Sequence, residues 1–411
     1  MKKLIFILSL TLAATSMQAQ VSVLKEAEKA MKGGKSYTEV LTIVQPAMSN
    51  AETANDVQTY YIPGKAGINQ YDKLFGARRA GVLPEGQEVT MSNALIGAYE
   101  NFMKALPLDS LPDAKGKVKP KYSKDIKSQL AGHYNDFAAS GVDLYNAEDY
   151  KGAYKAWNIF VEMSENPKFY EINPENLQPD TIVMDFITNA GLAVWRDNDN
   201  ALAAKTFRRA AEKGCVKENV WQYGLATAVQ AQSPDDILFF ASKGNELFGD
   251  HDTQYINNLI NYYLKNEKYD DAIKYLDDAI AKKPNSSQYY ALEGVIYESK
   301  NDMPKAMSLY EKAVELDPEN GLANYYYGRG LSIEAGNMSD SFSGNEVDFQ
   351  NYFNAELLPR YQKAISILEK AYNNDKGNRA NTLNMLEQLY YVTNNEEGMN
   401  SVKTRKLSDD D

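Results

Sequence analysis

The chain holds one cysteine, Cys215, and two histidines, His133 and His251, in 411 residues. A lone cysteine excludes any disulfide within the chain, so stability has to come from packing, and Cys215 reads as core filler. Neither histidine lies in a metal-ligand spacing, so no metal is expected and no cofactor either. Positive charge is also short: 44 Lys and Arg stand against 56 Asp and Glu, a formal net charge of −12. That balance disfavours nucleic acid and anionic membrane surfaces as partners through repulsion. The basic cluster Lys115, Lys117, Lys119 and Lys121 reads as a solvated loop. Beyond the first residues no run approaches the roughly 20 apolar positions that a membrane span needs.

Catalytic constellations are missing as well. "MKGGKS" ends like a phosphate-binding loop, but Lys29 stands where the first glycine is required, and the residues before it read as an amphipathic helix, not a strand. No serine nucleophile elbow is present. The acid pairs Asp270/Asp271 and Asp277/Asp278 fall on the outward side of a helix, where a solvated face explains them. No catalytic residue is assigned, and the chain is read as a non-enzyme.

What is present begins with "MKKLIFILSLTLAATSMQAQ": two lysines, an apolar run from Leu4 to Ala14, and a small-residue stretch ending at Ala19. This has the layout of a secretory signal peptide over residues 1–19, and the run is too short for a membrane span. No cysteine follows it to carry a lipid. The expectation is a periplasmic or secreted chain with no integral membrane segment after cleavage.

The strongest signal is a period. Tyr263 and Tyr297, Ala272 and Ala306, Ala279 and Ala313, and Pro284 and Pro318 are each 34 positions apart. In a unit counted from Ser287, Tyr290, Gly294, Tyr297, Ala306, Tyr310, Ala313 and Pro318 alternate small, bulky and breaking residues. Small residues at Gly294 and Ala306 allow two helices to cross closely, Tyr297 and Tyr310 fill the flanks, and Pro318 ends the second helix. The preceding unit, from Thr253, supplies Leu259, Tyr263, Tyr269, Ala272, Ala279 and Pro284 in register. Weaker units begin at Met184 (Gly191, Ala203, Phe207, Ala210) and at Tyr134 (Gly141, Leu144, Tyr150, Ala153, Trp157), whereas the unit containing Trp221 matches least well.

This pattern resembles the tetratricopeptide repeat (TPR) family, whose unit is a pair of antiparallel helices. The resemblance implies an all-α fold, an α-α superhelix of stacked antiparallel helix pairs, in which each pair touches mainly its neighbours. About eight pairs are expected on that repeat length. Degenerate repeats are expected over 20–125, the central array over 126–330, and C-terminal helices with a polar, Ser-rich insertion over 331–411.

Resemblance to the family further implies a concave groove, lined by first helices, that binds an extended peptide or a partner helix. The lining positions are Asn257, Asn261 and Lys265 in one unit and Tyr325 and Arg329 in another, with amides for a peptide backbone, cations for a carboxylate and a tyrosine for an apolar group. The unit between them presents Ala291, Val295 and Glu298, which breaks the carboxylate clamp that some family members use. The function read from this is an adaptor or scaffold of the bacterial cell envelope, its partner another envelope protein or peptide. The alternative is a glycan-binding protein of a surface carbohydrate-uptake system, suggested by 29 tyrosines against 14 phenylalanines; a hydrolase ranks below both. Asp109-Ser110-Leu111 and Asp180-Thr181-Ile182 match an O-glycosylation motif of a group of Gram-negative bacteria, which marks Ser110 and Thr181 as candidate sites in expected loops.

Overall fold

The computed structural model describes residues 22–51, 53–112 and 115–409; the expected signal peptide, residues 1–19, lies outside them. The chain divides into two compact units, one ending at Tyr255 and the other beginning at Ile256. Both are built from paired helices, and no strand occurs among the described residues.

The first unit contains α1 (22–32), α2 (Tyr37–Met48), α3 (Val57–Arg79), α4 (Gln87–Asp109), α5 (Ser123–Gly132), α6 (Tyr134–Asn146), α7 (Tyr150–Glu165), the single turn α8 (Pro167–Tyr170), α9 (Asp180–Arg196), α10 (Asn200–Glu212), α11 (Glu218–Gln230) and α12 (Pro234–Phe248). The second holds α13 (Gln254–Lys265), whose first two residues precede the boundary, then α14 (Tyr269–Lys282), α15 (Ser287–Ser299), α16 (Met303–Leu316), α17 (Gly321–Asp340), α18 (Glu346–Tyr352), α19 (Leu358–Asn374), α20 (Arg379–Val392) and α21 (Glu396–Asp409).

One turn chemistry makes the pairs. Between the two helices of six of them stands a residue with left-handed backbone: Glu148, Asn198, Gln232, Glu267, Asn301 and Asn394. The N–H of the next residue donates back to a carbonyl five positions earlier, as from Asp149 to Leu144, Asp199 to Val194 and Asp302 to Tyr297. This closes the first helix by satisfying one of its orphan carbonyls. In four of the six that same next residue then caps the second helix, through Asp149 to the Gly152 N–H, Asp199 to Leu202, Asp302 to Lys305 and Asn395 to Gly398. Each such cap contributes about 1 kcal/mol.

A glycine-and-ring socket then sets the distance between paired helices. A Cβ on Gly141 would clash with the Trp157 ring, on Gly191 with Phe207, on Gly224 with Phe240 and on Gly294 with Tyr310. In all four the ring follows the glycine by 16 positions, from the first helix of a pair to the second. The close approach expected at Gly294 is therefore ring against backbone. Backbone against backbone occurs instead between the long helices α3 and α4, where a Cβ on Gly67 would strike the Ala94 carbonyl oxygen. The segment around Trp221, the poorest match by sequence, keeps the socket through Gly224 and Phe240 and so packs like its neighbours.

In the second unit the polar insertion is shorter than the sequence suggests, because α17 continues through Asn337, Met338 and Ser339 to Asp340. Its aromatic residues then pack on one another, with Phe342 stacked on Tyr352 at 4.8 Å and edge-on to Phe349 at 5.6 Å.

Candidate functional site

The first helices α13 and α17 carry the five groove residues, and α15 stands between them in sequence. Asn257, Asn261 and Lys265 recur every four positions on α13, so they share a face. Asn261 and Lys265 are exposed, while Asn257 is half-buried and its Oδ1 accepts a hydrogen bond from Gln288 Nε2 of α15 at 3.1 Å. Tyr325 and Arg329 share a face of α17. Both are half-buried, and the guanidinium lies over the rings of Tyr326 at 5.0 Å and Tyr325 at 6.0 Å.

Arg329 differs from its expected role in one respect: it already has a carboxylate. Its Nη2 donates to Glu298 Oε2 of α15, and the same oxygen accepts the Tyr310 hydroxyl at 2.7 Å. Burial and the adjacent Glu298 charge together push the Tyr310 phenol up, so it stays a donor. The guanidinium Nε is buried without a partner. Glu298, which the sequence offered only as the residue that spoils a clamp, is thus the counter-ion of the neighbouring unit's arginine. The five residues fall into two sets, with α15 tied to each by one polar contact.

Glu293, also on α15, is only 6% exposed, and burial followed by the nearby Asp277 charge pushes its carboxyl up to about 6 against the opposing pull of Lys305. Elsewhere the tyrosine surplus is structural. Tyr61 donates to Asp125, Tyr99 to Glu162, Tyr327 to Glu311 and Tyr390 to Glu369. A ring fills the space between helices while its hydroxyl finds a carboxylate at the rim.

Of the two candidate glycosylation positions, Ser110 stands in the turn that begins the connection from α4 to α5, whereas Thr181 stands in a helix and not in a loop. Ser110 is the exposed residue that closes α4, and its hydroxyl donates to the Leu106 carbonyl at 3.1 Å. Its neighbour Asp109 is engaged: the carboxylate accepts the N–H groups of Lys121, Tyr122 and Ser123 and the Ser123 hydroxyl, which opens α5. Thr181 is exposed in the first turn of α9, because the helix begins at Asp180 directly after Pro179.

Among the described residues no group of three or more His, Cys, Asp or Glu is placed to hold a metal ion, and no helix is long and apolar enough to cross a membrane. The histidines are engaged locally, His133 with Asp136 at 2.8 Å and His251 with Glu218 at 3.2 Å. Open cavities of about 470 Å³ in the first unit and about 510 Å³ in the second are lined by none of the five groove residues.

A family model described as "Tetratricopeptide repeat" matches residues 257–321. Among solved structures, the chain is similar to YrrB, described as a TPR protein with an unusual peptide-binding site, at 16% identity over 50% of this chain and 96% of that one, with a TM-score of 0.28. It is similar to the C-terminal part of a TPR repeat-containing protein from Cytophaga hutchinsonii, at 12% identity over 66% and 94%, TM-score 0.35. A third likeness is to the TPR2AB domain of yeast Sti1 in complex with an HSP90 peptide, at 14% identity over 80% and 98%, TM-score 0.24. Likenesses this remote carry no argument about what the chain binds. No curated protein matches it. The family model thus marks residues 257–321 of this chain as tetratricopeptide repeats.

Proposed function

We propose that the protein is a non-enzymatic adaptor of the bacterial cell envelope, exported by its N-terminal segment, which holds a peptide segment or helix of a partner protein along α13, α15 and α17. The observation that carries this reading is the face of α13, where Asn261 and Lys265 are exposed and carry no hydrogen bond or ion pair to the rest of the described chain. An Asn amide both donates to and accepts from a peptide backbone, and Lys265 supplies a cation for an acidic side chain. Tyr325 and the Glu298–Arg329 pair add a half-buried aromatic and polar surface. An acidic group arriving at Arg329 competes with Glu298, so the affinity for acidic partners rests on Lys265.

The glycan reading is the weaker of the two in this region, because Tyr310, Tyr327 and Tyr390 donate their hydroxyls to carboxylates of the chain itself. Crosslinking in the native envelope followed by mass spectrometry tests the proposal. The native chain is expected to capture a protein that Asn261→Ala/Lys265→Glu does not. Equal capture by both sinks the groove assignment. Fractionation with the intact mass of the mature chain tests export and reports any sugar on Ser110 or Thr181.

A further inference from the structure

The segment that interrupts the repeat between α17 and α19 differs in charge from the rest of the chain. From Gly330 to Pro359 it holds five acids, Glu334, Asp340, Glu346, Asp348 and Glu356, and no Lys, Arg or His. Two of these are answered by cations of the chain, Glu356 in a salt bridge with Arg360 at 2.9 Å and Glu334 by the charge of Lys363. Asp340, Glu346 and Asp348 are exposed and form no salt bridge among the described residues. They stand at the end of α17 and in the first turn of α18.

The same segment leaves aromatic surface uncovered. Phe353 lies 6.2 Å from Tyr361 of α19 and 6.3 Å from Phe349, and Phe342 joins Phe349 and Tyr352 to this row. In the repeat sockets the rings of Phe207, Phe240 and Tyr310 are fully buried, whereas Phe342, Phe349, Tyr352 and Phe353 are all left half-buried, and Val347 of α18 is 70% exposed. The turn that carries Phe353 is π-helical, over Phe353–Leu357. Turns of this kind are rare and are found frequently at functional sites. Uncovered rings rimmed by three unanswered carboxylates complement a segment that carries an apolar stripe and positive charge.

We propose that the α17–α19 insertion is a docking surface for a basic amphipathic segment of a partner protein. The apolar stripe of that segment packs on Val347 and the row of rings, and its Lys or Arg heads reach Asp340, Glu346 and Asp348. An arginine there also lies against a ring face. Neither Asn261 nor Lys265 takes part, so this surface stands or falls independently of the α13 groove.

The full chain is titrated, by fluorescence anisotropy, with a labelled amphipathic helical peptide of leucine and lysine and with the same peptide carrying glutamine at every lysine. Saturable binding is expected of the lysine peptide alone. Asp340→Asn/Glu346→Gln/Asp348→Asn is expected to weaken it about tenfold, and Val347→Ser about threefold. Glu171→Gln/Glu175→Gln/Asp271→Asn removes three exposed acids elsewhere and is expected to weaken it less than about twofold. Equal losses in the two triple variants overturn the proposal, because net charge alone then attracts the peptide. Unchanged affinity in Val347→Ser overturns it as well, since the acids would then act without the apolar surface. So does equal binding of the glutamine peptide, or no saturation at millimolar peptide. A concentration-dependent dimer in light scattering that the first triple variant abolishes assigns the surface to a second copy and overturns it too.

Discussion

The phenylalanine sockets of the first unit and the one in the family-matched stretch of the second have the same spacing and different chemistry. At Gly191 and Gly224 the incoming ring is phenylalanine, fully buried and apolar. At Gly294 it is Tyr310, equally buried, with its hydroxyl at Glu298 and, through Glu298, at Arg329 of the next pair. One steric slot therefore packs two helices in one region, and in the other it also wires a pair to its successor. The period holds the shape constant, and the ring's para position is where the two regions diverge.

That comparison is open to breaking. The largest loss is expected from Phe207→Ala, which empties an apolar socket and should cost about 3–5 kcal/mol in urea denaturation. A loss under 1 kcal/mol would mean that the neighbouring rings Trp195 and Tyr223 close the space. Gly224→Ala drives a Cβ against the Phe240 ring and should cost about 1–3 kcal/mol by overpacking. An unchanged urea midpoint would show that α11 and α12 separate without penalty.

The second unit is sharpened by its carboxylate. Glu293 lies beside the Gly294 socket with its carboxyl pushed up to about 6, so the folded chain binds that proton more tightly than the unfolded one. Its stabilising contribution is complete below the ordinary value and is lost as pH rises through about 6. Glu293→Gln should therefore leave stability unchanged at pH 4, taken as an acidic reference, and raise it by about 1–2 kcal/mol at pH 7. Equal gains at both pH values would assign the effect to packing. The smallest effect, about 1 kcal/mol, is expected for Tyr310→Phe, which keeps the ring and removes one hydrogen bond to Glu298. A double-mutant cycle with Arg329→Ala measures the wiring directly, and a coupling energy of zero would reduce Tyr310 to the role that Phe207 and Phe240 play.

Much of this architecture was legible in the residues, since a period of 34 with fixed small and bulky positions constrains both helix and pair. Gly191 with Phe207 and Gly141 with Trp157 could be placed as repeat positions, although their contact could not. The Trp221 segment matched least well by sequence, whereas Gly224 and Phe240, which govern its packing, keep the spacing of 16. The groove residues were found on first helices, but Arg329 looked free because its partner stands 31 positions away on another helix, outside any local spacing. Thr181 was put in a loop, whereas in the fold it stands in the first turn of α9, which begins directly after Pro179.

The insertion in the second unit has a consequence for how this chain can change length. Gly328 of α17 meets the side chain of Leu368 of α19 at the same kind of crossing, yet the partners are 40 positions apart instead of 16. The extra residues enter at the tip between two helices whose mutual packing they do not disturb. Closing a longer loop there adds only about 0.6 kcal/mol per doubling of its length. The tip between α17 and α19 is thus a port at which foreign sequence, an epitope or a whole small domain, can be grafted while the stack beneath keeps its register.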